Sequence, residues 1–97
     1  MNTDLAKQIA RREEALSDVR SLLIERLRVR REPDELDPDT PLFGSGLALD
    51  SIDAVDLVIL LKSDLDVEIS DDEHGRANLR TINSIVELLL VTREGSE

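Results

Sequence analysis

Residues 30–50 constrain the fold most, because no continuous helix or strand can run through them. The stretch holds three prolines and two glycines among several aspartates, and its apolar residues follow no helical or strand period. Proline cannot donate a backbone hydrogen bond and disrupts helices, so the stretch predicts a long connecting loop. A loop of this length is uncommon in a small domain unless it serves a function. Its large apolar residues are expected to pin it across the core: Leu36, Leu42, Phe43, Leu47 and Leu49.

One long amphipathic helix, from about residue 3 to residue 29, is predicted before this loop. Thr3 or Asp4 can cap it. Apolar residues recur along one face at three-, four- and seven-residue steps: Leu5, Ile9, Leu16, Val19, Leu23 and Leu27, with Leu22 beside them. Large apolar residues are sparser in the first half, and Ser17 and Asp18 offer a second cap. We therefore expect the residues before about 15 to fray or separate from the packed part.

A second helix is predicted from Ser51 to about Asp64, directly after the loop. One face carries the residues expected to be buried: Ala54, Leu57, Val58, Leu61 and Leu65. At the edge of this face, Ile52, Val55 and Ile59 form a ridge, the α2 ridge below, that a single buried stripe does not require. The ridge is therefore either buried as well or exposed as a contact surface.

Two shorter segments complete the predicted all-α, four-helix bundle. Ser70 and Glu73 can form a capping box for a short acidic helix over residues 71–77, which Gly75 ends or interrupts. Thr81 can cap a last helix over residues 81–92, which frays from Arg93 onward. Aliphatic residues must build the core, because aromatic residues make up 1% of the chain.

The chain is strongly acidic, with a formal net charge of -10, and residues 50–73 hold nine acidic residues against one basic residue. This charge argues against nucleic acid or an anionic membrane as a partner and favours basic protein surfaces. There is no cysteine, and no apolar run approaches the roughly 18 residues of a membrane span. The charged N-terminal residues do not resemble a signal peptide. We expect a cytoplasmic monomer that does not insert into membranes.

The first turn of the second helix presents a serine at a position suited to phosphate. Asp50 can act as N-cap with Asp53 at the third helical position, which leaves the Ser51 hydroxyl exposed. Free backbone N–H groups and the helix dipole both favour a phosphate there. Ser51 is therefore a candidate for a phosphoserine or a phosphodiester, and the alternative is an ordinary serine at a helix start.

Catalytic and metal-binding interpretations fit the sequence poorly. A hydrolase would need a base beside Ser51, but His74 is the only histidine, in a segment expected at the surface, and no G-x-S-x-G elbow surrounds the serine. A calcium loop that begins at Asp64 would need glycine where Ile69 stands. We therefore predict neither an enzyme nor a metal site.

Three motifs together carry a family resemblance. The run LFGSGLALDSIDAVDL at 42–57 is followed by DVEI at 66–69 and TINSI at 81–85. These motifs resemble the acyl carrier protein family over about residues 16–90. The resemblance implies that a phosphopantetheinyl transferase attaches a phosphopantetheine arm from coenzyme A to Ser51, next to Asp50.

The same resemblance implies what the arm does. Its terminal thiol would hold acyl intermediates as thioesters for fatty-acid, polyketide or related acyl biosynthesis. The protein itself would then supply no catalytic group. Apolar side chains between helices two, three and four would shelter a bound acyl chain.

Three departures from the common pattern of that family indicate a specialised carrier. Ile52 replaces the usual leucine, and Lys62 and Ser63 stand where members of fatty-acid synthesis usually have acidic residues. The N-terminal residues also extend beyond the usual start. We predict an N-terminal extension (1–15), a carrier domain (16–92) and a frayed tail (93–97). Two alternatives stay open: an aminoacyl or peptidyl carrier of similar fold, and an unmodified helical interaction module.

The second helix also carries the predicted partner surface. Its ridge adjoins two acidic residues, so the docking surface consists of Ile52, Asp53, Val55, Asp56 and Ile59. The expected partners are the transferase and acyl-processing enzymes with basic docking surfaces, because complementary charge speeds association.

Overall fold

The computed structural model describes residues 2–70 and 72–95, which form four α-helices and no β-strand. The helices are α1 (Asn2–Ser21), α2 (Ser51–Leu65), α3 (Glu73–Asn78) and α4 (Ile82–Gly95). The long loop before α2 contains one short 3₁₀ turn, at Pro33–Glu35. None of the described helices is both long and apolar enough to cross a membrane. The predicted all-α bundle, with its long first loop and short third helix, is confirmed.

The first helix ends earlier than its hydrophobic period predicts. After α1 the chain continues as a π-helical turn over Leu22–Arg26. The Val29 N–H then donates to the Leu23 carbonyl oxygen at 2.9 Å, and Arg28 before it has a positive φ of 64°. A left-handed residue at this position closes a helix. The continuous helical segment formed by α1 and the π-helical turn therefore ends at Arg26, and the predicted end at about residue 29 is wrong.

The first turns of α1 lie outside the core. The helix is unbroken from Asn2, but Leu5 and Ile9 are 56% and 51% exposed, and its buried residues begin at Ala15. This exposure agrees with the expectation that the residues before about 15 lie apart from the packed part, whereas the described helix shows no break there. A helical period shows which residues share a face, whereas burial also needs another element packed against that face.

The core is aliphatic and joins the helices to the long loop. Its fully enclosed large side chains are Val19, Leu23, Leu36, Leu42, Leu57, Leu61, Val67, Ile82, Ile85, Val86 and Leu89. Burial of each such side chain contributes about 1.5–3 kcal/mol. The five predicted loop anchors are confirmed, because two are fully buried and Phe43, Leu47 and Leu49 pack against the core.

Backbone hydrogen bonds fasten the long loop to the start of α4. The Leu42 N–H donates to the Arg80 carbonyl oxygen at 2.9 Å, and the Ile82 N–H donates to the Thr40 carbonyl oxygen at 3.2 Å. The second bond satisfies a donor in the first turn of α4 that has no acceptor within its own helix. The loop is thus held in place although it has no periodic structure.

Helix α3 begins differently from the prediction. Asp72 is its N-cap, and the carboxylate accepts the Gly75 N–H at 3.1 Å and the Ser70 hydroxyl at 2.8 Å. The predicted capping box of Ser70 and Glu73 is wrong, because the serine bonds to Asp72 instead. Gly75 lies inside α3 and does not end the helix. Glycine is needed at this position because a Cβ would lie 1.7 Å from the Ser70 carbonyl oxygen. Asp71, where the predicted helix begins, lies outside the described residues.

Helix α4 is capped as predicted but runs further. The Thr81 hydroxyl oxygen accepts a backbone N–H of the first turn at 3.2 Å, which confirms this residue as the cap. The helix continues to Gly95, where the sequence predicted fraying from Arg93. Arg93 donates to the Asp18 carboxylate of α1 at 2.6 Å, which holds the last turns against α1. The rest of the predicted tail, residues 96–97, lies outside the described residues.

Candidate functional site

A reciprocal capping box closes the start of α2. The Asp50 carboxylate accepts the Asp53 N–H at 2.8 Å, and the Asp53 carboxylate accepts the Asp50 N–H at 3.1 Å. Each carboxylate satisfies a backbone donor and lies at the positive end of the helix dipole. The predicted cap is confirmed, and Ser51 is the first residue of the helix.

Ser51 is exposed, and its hydroxyl has no hydrogen-bond partner among the described residues. Among the described residues, no acceptor is hydrogen-bonded to the backbone N–H groups of Ser51 and Ile52. Open N–H groups at a helix start, together with the dipole, stabilise a phosphate. The residues at this position therefore fit a phosphate ester on the Ser51 hydroxyl.

Close backbone contacts shape the loop that leads into α2. The Leu47 N–H donates to the Pro41 carbonyl oxygen at 2.9 Å, and the Leu49 N–H donates to the Leu42 carbonyl oxygen at 3.0 Å. Gly46 permits this approach, because a Cβ there would lie 1.9 Å from the Pro41 carbonyl oxygen. These contacts fix the path of the loop up to the residue before the cap of α2.

The α2 ridge is exposed. Ile52, Val55 and Ile59 are 71%, 58% and 58% exposed, so the ridge is a surface and not a second part of the core. Asp56 beside it is also exposed. Asp53 is half-buried, and its carboxylate is held by the cap. The predicted docking residues thus lie together on one helix, and four of the five offer accessible side chains.

An apolar cleft of about 310 Å³ separates α2 from α3. Ala54 and Val55 line its α2 side, and Ile69 and Leu79 line the opposite side. Ser51 precedes Ala54 and Val55 by three and four residues, which places all three on one face of the helix. An exposed hydroxyl and an apolar cleft therefore lie on the same side of α2. The sequence pattern did not single out Ile69 or Leu79 for this cleft, because their role depends on how α3 packs.

A second cleft, of about 360 Å³, lies on another side of α2. Asp53, Asp56 and Ile59 line it from the helix, and Arg26 and Arg28 line it from the segment after α1. These arginines were not predicted as neighbours of the site, because they are distant from it along the chain. The available signal was the basic excess in the N-terminal third of the sequence.

The acidic end of α2 is partly neutralised by basic side chains. Arg26 pairs with Asp64 at 2.9 Å, and Lys62 pairs with Asp66 at 3.3 Å and with Glu68 at 3.6 Å. The hydrogen bond to Asp66, together with the negative charges of Asp66 and Glu68, raises the pKa of Lys62. The dense run of carboxylates is therefore interrupted by cations, one of which comes from the first helical segment.

The described residues give no support to catalysis or metal binding. They contain no group of three or more His, Cys, Asp or Glu side chains that could hold a metal ion. The side chain of His74, weighed above as a base, lies outside the described part of the chain. No other base, among the side chains that the structure describes, bonds to Ser51.

Two comparisons with known proteins identify the family. Residues 17–89 match the model of a family described as the phosphopantetheine attachment site. The chain is also 41% identical over 56 residues to the acyl carrier protein of Sulfurovum sp. (strain NBC37-1), a match that covers 58% of this chain and 71% of that protein. The first match spans α2, α3 and the long loop before them. The chain therefore belongs to the acyl carrier protein family, whose members carry a covalently bound phosphopantetheine group and are not themselves catalysts.

Proposed function

We propose that Ser51 carries the phosphopantetheine arm and that the protein serves fatty-acid, polyketide or related acyl biosynthesis. The observation that supports this most directly is the exposed, unbonded hydroxyl of Ser51 in the first turn of α2. The bound arm supplies the thiol that holds acyl groups as thioesters, and the chain has no cysteine of its own. The role of the protein is to hold this arm at its surface and present it to partner enzymes.

The first turn of α2 would stabilise the phosphodiester. The backbone N–H groups of Ser51 and Ile52 offer hydrogen bonds to its negative charge, and the helix dipole has the favourable sign. Asp50 closes the helix through the capping box and so keeps this turn formed. Attachment joins the Ser51 oxygen to phosphorus and releases adenosine 3′,5′-bisphosphate from coenzyme A. The hydroxyl proton passes to a base of the transferase, in agreement with the lack of a described base beside Ser51.

The docking surface for the partner enzymes consists of the α2 ridge with Asp53 and Asp56. The exposed apolar side chains supply contact area, and the carboxylates attract basic surfaces. Because the carboxylate of Asp53 is engaged in the cap, Asp56 contributes more of the accessible charge. The partners are the phosphopantetheinyl transferase and acyl-processing enzymes with basic docking surfaces.

The apolar cleft between α2 and α3 is the proposed shelter for a bound acyl chain. It lies on the same side of α2 as Ser51, and Ile69 and Leu79 close its far side. An acyl chain enclosed there would bury apolar surface that water otherwise covers. This burial would stabilise the bound chain by about 25 cal/mol for each Å² of apolar surface removed from water.

Intact mass after incubation with a phosphopantetheinyl transferase and coenzyme A tests the assignment. We expect the wild-type chain to gain the mass of one phosphopantetheine group. Ser51→Ala should gain nothing, whereas Ser45→Ala, which removes an exposed serine from the preceding loop, should be labelled as the wild type is. A labelled Ser51→Ala variant would show that the site is elsewhere. An unlabelled wild-type chain would favour the unmodified interaction module.

A loading assay separates acyl cargo from aminoacyl or peptidyl cargo. The acidic surface that follows Ser51 favours the acyl carrier, as does the match to an acyl carrier protein. The labelled protein should accept acyl groups from an acyl-loading enzyme and should not accept amino acids from an adenylating enzyme. Preferential loading with an amino acid would replace the proposal with the peptidyl alternative.

A further inference from the structure

Residues 26–31 place a concentration of positive charge beside α2. Arg26 is neutralised by its pair with Asp64. Arg28, Arg30 and Arg31 are exposed, and no ion pair joins them to a carboxylate in the described part of the chain. Three exposed cations within four residues form a local basic patch in a chain of net charge -10. The pattern indicates a surface kept open for an anionic partner.

The backbone of Arg28 shows that the turn itself does not require arginine. Its φ of 64° is left-handed, and glycine is the usual residue where a helix closes in this way. An L side chain is strained there, whereas glycine is not. The local turn would therefore be better served by glycine, so the backbone conformation does not account for an arginine at this position.

The arginines border the proposed docking surface. Arg28 lines the cleft of about 360 Å³ together with Asp56 and Ile59, and Ile59 belongs to the α2 ridge. All three arginines line a neighbouring cleft of about 310 Å³ together with Asp53. A protein that covers the ridge therefore comes within reach of the guanidinium groups.

We infer that Arg28, Arg30 and Arg31 form a second docking patch, the arginine patch, which binds carboxylates on the surface of enzymes that dock on α2. The inference rests on the proposed function, because the arm on Ser51 brings those enzymes to this helix. A protein surface suits the patch better than nucleic acid or an anionic membrane does, because Asp53 lines both clefts and Asp56 lines the larger one, and these carboxylates repel an extended polyanion more strongly than a short run of carboxylates.

With the arginine patch, the docking surface carries both negative and positive charge. A fitting enzyme presents basic groups to the carboxylates of α2 and carboxylates to the arginines. An enzyme with a uniformly basic docking face would meet like charge at the arginine patch and would be disfavoured. The patch therefore selects among the partners of different carriers, in addition to strengthening any one complex.

The test uses the complete holo-protein and two double variants with the same change in net charge. Arg30→Glu/Arg31→Glu reverses the patch, and Lys7→Glu/Arg80→Glu reverses two exposed cations elsewhere. A hexaglutamate peptide with blocked ends is titrated at low salt and followed by amide NMR. We expect the largest changes in amide chemical shift at residues 28–31. The affinity should fall about fivefold in the patch variant, the loss expected for two exposed ion pairs, and much less in the control.

Arg28→Gly separates a binding role from a structural one. Glycine relieves the left-handed strain, so the thermal midpoint should stay unchanged or rise. The affinity for the peptide should nevertheless fall about twofold, because one exposed ion pair is lost. Unchanged affinity in this variant would remove Arg28 from the patch and contradict the inference.

Three other outcomes would overturn the inference. The first is an equal loss of affinity in both double variants, which would reflect net charge alone. The second is a set of shift changes spread over distant cations. The third is tighter binding to phosphatidylglycerol vesicles than to the peptide, which would assign the patch to a membrane surface. The mass gain at Ser51 is measured on the same samples, so a failure of the carrier proposal is recognised separately.

Discussion

Helices α2 and α4 contain similar amounts of apolar sequence, yet they use it differently. They are 15 and 14 residues long. Helix α4 turns most of its large apolar side chains into the core: Ile82, Ile85, Val86 and Leu89. Helix α2 fully buries Leu57 and Leu61 and leaves the three residues of its ridge largely exposed. The exposed apolar area is therefore concentrated on the helix that carries Ser51.

The two helices are also anchored differently. Helix α4 is tied to α1 by the pairs of Arg12 with Glu87 at 3.1 Å and of Arg93 with Asp18 at 2.6 Å. The first turns of α2 are held, in the described structure, by their own capping box and by the loop before them. Helix α4 therefore contributes mainly to stability, whereas the first half of α2 is left accessible for contact.

The largest expected effect compares one buried and one exposed side chain. Leu89→Ala should lower the free energy of unfolding by about 2–5 kcal/mol, because it leaves a cavity in the core. Ile59→Ala should change it by about 0.5 kcal/mol or less, because the side chain is largely in solvent. Denaturant unfolding measures both. Similar losses in the two variants would show that the ridge is part of the folded core.

Charge reversal on α2 should affect association. Asp56→Lys should lower the kcat/KM of the phosphopantetheinyl transferase about tenfold at low salt, because complementary charge mainly accelerates encounter. Asp34→Lys makes the same charge change on the 3₁₀ turn and should have little effect. The difference between the variants should shrink as salt rises, since exposed charges are screened within about 10 Å at roughly 0.1 M. Equal kinetics for both variants at low salt would exclude α2 as the docking helix.

Loss of the cap should have an intermediate effect. Asp50→Ala should cost about 1 kcal/mol of stability, because it leaves the Asp53 N–H without its acceptor. Asp50→Asn should cost less, since asparagine is an equally good N-cap. Denaturant unfolding gives the totals, and amide exchange shows whether the loss is confined to the first turn of α2. An asparagine variant as unstable as the alanine variant would assign Asp50 a role beyond the cap.

The smallest effect concerns Lys62 and high pH. The hydrogen bond to Asp66 raises the pKa of Lys62 above its ordinary value of 10.5. A base with a raised folded-state pKa contributes stability that is complete below its unfolded pKa and is lost as pH rises through the folded one. The thermal midpoints of the wild type and of Lys62→Gln should therefore differ at neutral pH and converge above about pH 10.5. If the two thermal midpoints still differ well above that pH, the positive charge of Lys62 is not what stabilises the wild type.

The start of α2 was predictable because every contact that forms it is local. Asp50, Ser51 and Asp53 lie within one turn, and the cap joins backbone and side-chain groups three residues apart. The Thr81 cap of α4 is equally local, although the distant loop also bonds to the start of that helix. The loop anchors were also predictable, because a large apolar residue in a polar stretch has a strong reason to be buried.

Other features were beyond local reasoning. Ala48 and Arg28 have positive φ values of 55° and 64°, although neither is a residue type that favours this conformation. Leu5 and Ile9 fit the hydrophobic period of α1, yet they are 56% and 51% exposed. Gly75 was expected to end or interrupt α3, whereas the close approach of the Ser70 carbonyl oxygen explains the glycine. These outcomes follow from the path of the backbone and from the packing around each residue, which the residue types alone do not show.

The amino-acid sequence by itself determined the four helices and the exposed serine at the start of α2, because helical period, proline and caps act over a few residues. The family motifs are also short runs of sequence, at 42–57, 66–69 and 81–85. Only the tertiary structure decided that the ridge is exposed, that α3 forms one wall of an apolar cleft, and that Arg26 and Arg28 lie opposite Asp53 and Asp56. These arrangements depend on how distant segments pack, and packing energy is shared among many side chains and not encoded at single positions.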